Sequence, residues 1–411
     1  MSKLQHLAAA VCGALCVSAA HAAPVWITLS EPALRELRAL DPAVTSRYSA
    51  ALATGDAKRT ETIHVAQVDD SLLESLSQAI RRTRGHGPGF FVHATFDEAR
   101  ASLQPSAAKQ AAAIDYPITY SQQVRNWISQ LQASNIVSTI VSLSGFTNRY
   151  YTTTHGVAAS DWIAQQWKQL AGSRTDVTVE QFTHAGWPQK SVILTIKGSD
   201  PAAGVVVIGG HLDSTVGRMS ENTRAPGADD DASGIASLTE ALRVLLANRY
   251  QPKRTLKFIG YAAEEAGLLG SQAIAKQFRA QNVNVVGAFQ LDMTNYKGDP
   301  KDIYLISDYT NATQNTYLAN LANLAKAYLP ELAVGTSQCG YACSDHASWN
   351  AQGYPASFPF EADQNDNPYI HSAYDTLERS DSQGNHALKF SKLALAYAAE
   401  LGGGLSASAK R

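Results

Sequence analysis

Cysteine and methionine are scarce in this 411-residue chain, four of the first and three of the second. A surplus of charge is also lacking: 34 basic residues face 36 acidic ones, for a formal net charge of -2. A nucleic-acid binder would carry a basic surplus, so that class of partner is excluded. No apolar run approaches the ~20 residues that span a bilayer, and no membrane partner is expected. Apolar residues are plentiful, 45% against 17% charged, which rules out disorder as the overall state. The length suggests two or three units of ordinary domain size.

Residues 1–22 read as an export signal. Lys3 and His6 precede an apolar stretch over 7–17, and Ala20-His21-Ala22 supplies a small-x-small cleavage pattern. Cys12 and Cys16 lie inside this segment, each after a residue (Val11, Leu15) unsuited to a lipoprotein site, so the expectation is a freely secreted protein. The remaining cysteines stand in Cys339-Gly340-Tyr341-Ala342-Cys343. In an exported protein such a pair suggests a disulfide pinching a short loop. Metal ligation is the alternative, but a second Cys or His pair to complete a zinc site is missing nearby, which makes the disulfide the stronger reading.

Residues 23–113 differ in character from the rest. They hold helical stretches at 31–40 and 71–82, the basic, glycine-rich Arg81-Arg82-Thr83-Arg84-Gly85-His86-Gly87-Pro88-Gly89, a strand-like 90–93 and an alanine-rich end at 106–113. The low-complexity end suits a cleavable linker, so 23–113 is read as a pro-segment, with a permanent small domain as the alternative. From Tyr116 onward apolar runs at 205–208, 256–259 and 285–289 alternate with helical periods at 232–247, 268–281, 313–328 and 387–401. This predicts, over 114–411, an α/β three-layer sandwich with a mainly parallel central mixed β-sheet flanked by helices.

Sites in open α/β sheets form beyond the carboxyl ends of strands. The first run is followed by Gly209-Gly210-His211-Leu212-Asp213, the second by Ala262-Ala263-Glu264-Glu265, and the third by Gln290-Leu291-Asp292. Asp229-Asp230-Asp231 opens the intervening helix. Each has a plain reading: the triple Asp as a helix N-cap, the Glu pair as a solvated loop, Asp292 as structural. Their joint placement points to a metal centre. Imidazole and carboxylate ligands suit zinc with positions left for water, and two ions ~3.5–4 Å apart can clamp both reacting oxygens. One carboxylate must stay free to move the proton from water to the leaving amine, and the adjacent Glu264 and Glu265 could divide these roles.

These motifs, with Ser344-Asp345-His346-Ala347-Ser348-Trp349, Ile370-His371 and the Cys339–Cys343 loop, resemble the bacterial leucyl aminopeptidases, secreted di-zinc enzymes of the M28 metallopeptidase family. The resemblance runs from about Tyr116 through the C-terminal helix. It implies that Asp230 bridges two zinc ions, that His211 and Asp292 complete one ligand set, and that Glu265 and His371 complete the other. It further implies Glu264 as general base, Asp213 as the residue orienting His211, Tyr341 as a donor to the oxyanion, a disulfide between Cys339 and Cys343, and a strained, possibly cis, peptide beside Asp230. Spacing alone does not choose His371 over His346, whose plain reading as a helix-start histidine is preferred. Met293, Ile306, Cys339, Cys343, Phe360 and Ile370 become the wall of an apolar pocket for the first side chain, and Phe358 reads as core. Gln364 and Asn367 depart from the aromatic residues expected there, which loosens the preference for Leu. The expected substrates are peptides with a free N-terminus, and the expected state is a monomer. The pro-segment would serve as folding aid and inhibitor, its 81–91 stretch near the acidic centre.

Two other readings compete. A non-catalytic binding protein on the same fold would show an eroded metal site, whereas all five ligand candidates and the base are intact. A carboxypeptidase, a dipeptidase or a one-zinc cyclase acting on N-terminal glutamine would share the fold; the Glu264-Glu265 pair and the disulfide loop favour the aminopeptidase.

Overall fold

The computed structural model describes residues 24–53, 60–84, 87–104, 116, 118–119, 121–319 and 323–405. The export signal at 1–22 and the linker at 106–113 lie outside the described residues.

The N-terminal unit comprises β1 (Pro24–Ser30), α1 (Glu31–Leu40), β2 (Ser46–Ala53), β3 (Thr60–Asp69), α2 (Leu73–Arg84), β4 (Phe90–His93) and α3 (Phe96–Ser102). Its antiparallel sheet runs β2-β3-β1-β4. Ser30 caps α1 by accepting the N–H of Ala33, and Ala33, Leu34 and Leu37 turn its apolar stripe onto the sheet. The sheet therefore has a core of its own, built from Ile27, Leu29, Ala66 and Val68 with Leu76 and Ile80 of α2.

The larger body follows as α4 (Gln122–Ile128), α5 (Ala133–Ser144), α6 (Thr154–Ala171), β5 (Val177–Phe182), β6 (Ser191–Ile196), β7 (Val205–His211), α7 (Ala232–Ala247), β8 (Thr255–Tyr261), α8 (Leu269–Ala280) and β9 (Val285–Gln290). Next come β10 (Ile303–Ile306), α9 (Ala312–Ala319), α10 (Leu324–Tyr328), β11 (Val334–Ser337), α11 (His346–Ala351), β12 (Ala356–Ser357), β13 (Pro359–Phe360) and α12 (Asn385–Gly402). The central six-stranded sheet has the order β12-β9-β7-β8-β6-β5, parallel from β12 to β8 and antiparallel beyond. This is the mixed, mainly parallel sheet that strand-helix alternation predicted.

Both faces are covered, and the two-residue period of each strand divides its side chains between them. Val206, Ile208, Leu256 and Phe258 enter the core beneath α5, α6, α7 and α12, while Val207, Ile259 and Ala288 enter the one beneath α8 and α11. The expected helices at 232–247 and 387–401 are present within two residues. The single helix expected over 313–328 is instead α9 and α10, because the Asn323 side chain accepts the N–H of Lys326 and starts a new helix.

The N-terminal unit packs on the body through Ile63, Val65, Phe91 and Leu103 against Leu268, Tyr309, Tyr341 and Ala342. Polar ties surround this patch. Glu74 accepts from the hydroxyl of Tyr150, Gln78 donates to the carbonyl of Val216, and Lys276 pairs with Glu98. The N–H of Gly89 donates to the carbonyl of Ala342 at 3.1 Å.

Candidate metal centre

The three central parallel strands end at nearly one level. His211 closes β7 opposite Tyr261, the last residue of β8, and Gly209 lies opposite Gln290, the last residue of β9. The turns beyond these ends deliver His211, Glu264, Glu265 and Asp292 to one point, and the turn before α7 adds Asp230.

His211 Nε2 lies 3.0 Å from Asp230 Oδ1 and 3.4 Å from Asp292 Oδ1. His371 Nε2 lies 3.1 Å from the other oxygen, Asp230 Oδ2, and 2.8 Å from Glu265 Oε2. Asp230 thus faces an imidazole with each carboxylate oxygen, and two triads, His211-Asp230-Asp292 and Asp230-Glu265-His371, share it. Glu264 groups with His211 and Glu265 but not with Asp230.

The side chains are buried, that of the intermediate residue His371 being 5% exposed, and several carboxylate oxygens, among them Glu264 Oε1 and Glu265 Oε1, accept no hydrogen bond. Buried acceptor-only groups left like this are costly unless a cation meets them. The donor set of two imidazoles and three carboxylates, of which Asp230 is shared, therefore fits divalent cations, and it matches the preferences of zinc. The proton affinities agree. Burial opposes charge on His371, but Glu265 and Asp230 outweigh it and raise its pKa to about 10. Burial raises Glu265 to about 7 and Glu264 well above the ordinary carboxylate range.

The carboxylates around this centre hold its backbone. Asp213 stands 3.4 Å from His211 Nδ1, and its two oxygens accept the N–H groups of Glu264 and Glu265 at 3.0 and 3.2 Å. Asp231 caps α7 through the N–H of Gly234 and accepts those of His211 and Met293. Asp229 accepts from the N–H of Asn295 and the amide of Asn367. The triple Asp is thus both things at once: its middle residue enters the centre, and its flanks serve as caps and braces. The Asp230–Asp231 peptide is cis. Ser344 donates to Asp292 Oδ2 at 2.6 Å.

Sequence reasoning missed Asp375. Its two oxygens accept the N–H groups of Asp229 and Asp230 at 3.0 and 3.1 Å, and its carbonyl accepts that of Ala228. The only signal was an Asp four residues beyond His371. Asp375→Ala would leave two buried donors unmet, at roughly 1–3 kcal/mol each. The thermal midpoint is expected to fall by about 5–10 °C, with weaker metal binding. Calorimetry and a zinc titration check this, and an unchanged midpoint would contradict the clamp.

Tyr341 departs from expectation. Its hydroxyl donates to Thr28 Oγ1 of β1 at 2.9 Å, and its ring packs against those of Phe91 and Tyr309. The docked N-terminal sheet supplies these partners. The flanking cysteines are joined as a disulfide. Met293, Phe358 and Phe360 with both cysteines line a cavity of about 10 Å3 that also touches Asp230, Glu264, Asp292 and His371. Gly87 of the N-terminal unit also lines it. Ile306 and Ile370 belong to the same apolar cluster, as does Phe358, which is core and pocket wall together. Asn367, where an aromatic residue was expected, is buried and braces Asp229 with its amide, whereas Gln364 is exposed. His346 opens α11 with its ring against Phe358, apart from both triads, and burial lowers its pKa to about 3.

An α/β sheet with paired carboxylate and imidazole triads at its strand ends defines a metal-assisted hydrolase. Residues 191–396 match peptidase family M28. Leucine aminopeptidase 1 of Paracoccidioides brasiliensis is 32% identical over 321 residues, covering 74% of this chain and 80% of that protein. The crystal structure of the LapA aminopeptidase of Legionella pneumophila aligns with a TM-score of 0.75 and 30% identity, covering 93% of this chain and 99% of that one. LapB of the same bacterium aligns at 0.73 and 28% identity, over 92% and 100%. The chain belongs to peptidase family M28 and is a hydrolase of peptide bonds.

Proposed function

We propose that this chain is a secreted zinc aminopeptidase that releases apolar, Leu-like N-terminal residues from peptides. The observation that carries the reading is the pair of ligand triads sharing Asp230, with Glu264 beside them and outside both. Two zinc ions would be held, one by His211, Asp230 and Asp292, the other by Asp230, Glu265 and His371. When bound, they supply Lewis-acid polarisation of the scissile carbonyl and a nucleophilic water near neutral pH. Glu264 accepts the proton of that water and passes it to the departing amine. Asp213 keeps His211 in the tautomer that presents Nε2 to the centre. Met293, Phe358, Phe360 and the disulfide shape an apolar recess for the first side chain, adjoining Ile306 and Ile370. Tyr341 is assigned no step, since its hydroxyl is committed to Thr28.

The export pattern at 1–22 supports secretion, and the seat of Gly87 in the recess supports the N-terminal unit as an inhibitory pro-segment. A side chain at Gly87 cannot be accommodated: a Cβ there would stand 1.9 Å from the carbonyl oxygen of Cys343. Gly87→Val is therefore expected to unseat this segment and raise hydrolysis by the intact chain several-fold, toward the rate of a chain cut within 105–115. An unchanged rate would remove the inhibitory role.

The reading as a whole is tested with Leu-p-nitroanilide and its N-acetyl counterpart, before and after chelation and zinc restoration. Cleavage of the free-amine compound alone, lost on chelation and regained with zinc, is the expected result. Bound zinc without cleavage of either would move the assignment to another activity of the fold.

A further inference from the structure

A groove of about 780 Å3 runs outward from His371 between the N-terminal unit and the 363–371 loop. Gln78, Arg81 and Arg82 of α2 line one wall, and Asp363, Asp366 and Ile370 of the body line the other. The walls carry opposite charge, and Arg81 joins them. Its Nη1 lies 3.4 Å from Asp366 Oδ2, and its Nη2 donates to the carbonyl of Asn367 at 2.9 Å. The two side chains are 13% and 11% exposed, so this ion pair is largely removed from water.

Neighbouring acids serve the fold of the body itself. Asp299 accepts the N–H groups of Asp363, Gln364 and Asn365, Glu361 accepts that of Tyr296, and Asp229 is braced by Asn295 and Asn367. Asp366 turns instead toward a guanidinium from the unit proposed to be removed. Taking away one partner of a desolvated pair leaves the other uncompensated, so the emptied groove would favour a new cation. It is also joined to the reaction centre, because His371 lines both the groove and the apolar recess, and Ile370 belongs to the apolar cluster that forms the recess.

We infer that Asp366, with Asp363 beside it, is a specificity subsite for a cationic side chain of the peptide substrate, filled by Arg81 while the N-terminal unit is docked. This rests on the aminopeptidase reading. The stem of a Lys or Arg residue lies along Ile370, and its charged tip reaches the carboxylates. Gln364, exposed and polar, lies on the same wall of the groove. The cation belongs either to the first residue of the substrate or to the second.

The test uses the full chain cut by limited proteolysis within 105–115. One arm compares kcat/KM for Lys- and Arg-p-nitroanilide with norleucine-p-nitroanilide. The other compares Leu-Lys-amide with Leu-norleucine-amide. A cationic residue at one of the two positions is expected to gain about tenfold over its neutral counterpart, the scale of one charge-assisted hydrogen bond. The responding arm identifies the position. Asp366→Asn should bring that ratio close to one, and Asp366→Lys should turn the preference toward Glu, which a merely structural role would not do. Equal ratios for wild type and Asp366→Asn in both arms would overturn the subsite while Leu-p-nitroanilide is still cleaved.

Failure of wild type to cleave any substrate would overturn the aminopeptidase reading instead. Binding then decides the subsite, with argininamide titrated calorimetrically into the intact Arg81→Ala chain. Binding that Asp366→Asn abolishes supports it, and binding that survives Asp366→Asn, or none at all, overturns it.

Discussion

Glu264→Gln is expected to lower kcat by about 10^3-fold while leaving zinc content, fold and KM close to those of the parent, the scale set by loss of a positioned general base. The geometry makes this a clean substitution. Glu264 is buried, its Oε1 accepts no hydrogen bond, and its backbone is fixed independently by donation of its N–H to Asp213. The amide fills the same volume but takes no proton from water. Glu265→Gln is the contrasting variant, because Glu265 stands 2.8 Å from His371 Nε2 within the second triad and its loss should show first in metal content. Single-turnover kinetics and metal analysis on both variants separate the roles. Should Glu264→Gln lose zinc while Glu265→Gln retains it, the assignments of base and ligand would be exchanged.

What the sequence made legible follows from how its signals arise. Strand ends were readable because a buried parallel strand is a short apolar run, and whatever polar residue follows it is at the edge of the sheet. His211, Glu264, Glu265 and Asp292 were found this way, and the Asp229-Asp230-Asp231 run through the helix it precedes, Asp230 being singled out by resemblance. His371 was not, since it lies in an irregular loop with a positive φ of 54°, where no period marks a face. Its role came from resemblance, and the structure places it beside Asp230 and Glu265. Asp375 and Asn367 were illegible for a related reason: each acts by hydrogen bonds to residues more than a hundred positions away. The N-terminal unit was legible as a composition change, and its strands and helices by their periods. The placing of its 81–91 stretch near the acidic centre was read from its basic, glycine-rich composition, and Gly87 lies in the cavity that touches Asp230 and His371. The contact of β1 with the disulfide loop was not legible, and that is why Tyr341, expected at the reacting carbonyl, is found bonded to Thr28.

Stripping the metals is expected to abolish activity and to lower the thermal midpoint by about 10 °C or more. A ligand that binds only the folded state adds roughly 4 kcal/mol at a thousand times its dissociation constant. One kcal/mol moves the midpoint by about 2–4 °C in a protein of a couple of hundred residues, and somewhat less in a larger one. The loss should grow with pH, and the sign follows from His371. Without cations its pKa is raised to about 10 by Glu265 and Asp230, against the opposing effect of burial. A raised imidazole contributes stability that is fully present below its unfolded value of about 6.5 and is lost as pH climbs through the folded one. Protons therefore stand in for cations at low pH and desert the site at high pH, leaving Asp230 and Glu265 facing each other. The midpoint difference between zinc-loaded and chelated protein should accordingly be larger at pH 9 than at pH 6.5, as read by paired calorimetric scans. A midpoint indifferent to chelation at both pH values would mean that the buried carboxylates are neutralised by something other than metal, and the two-triad centre would have to be given up.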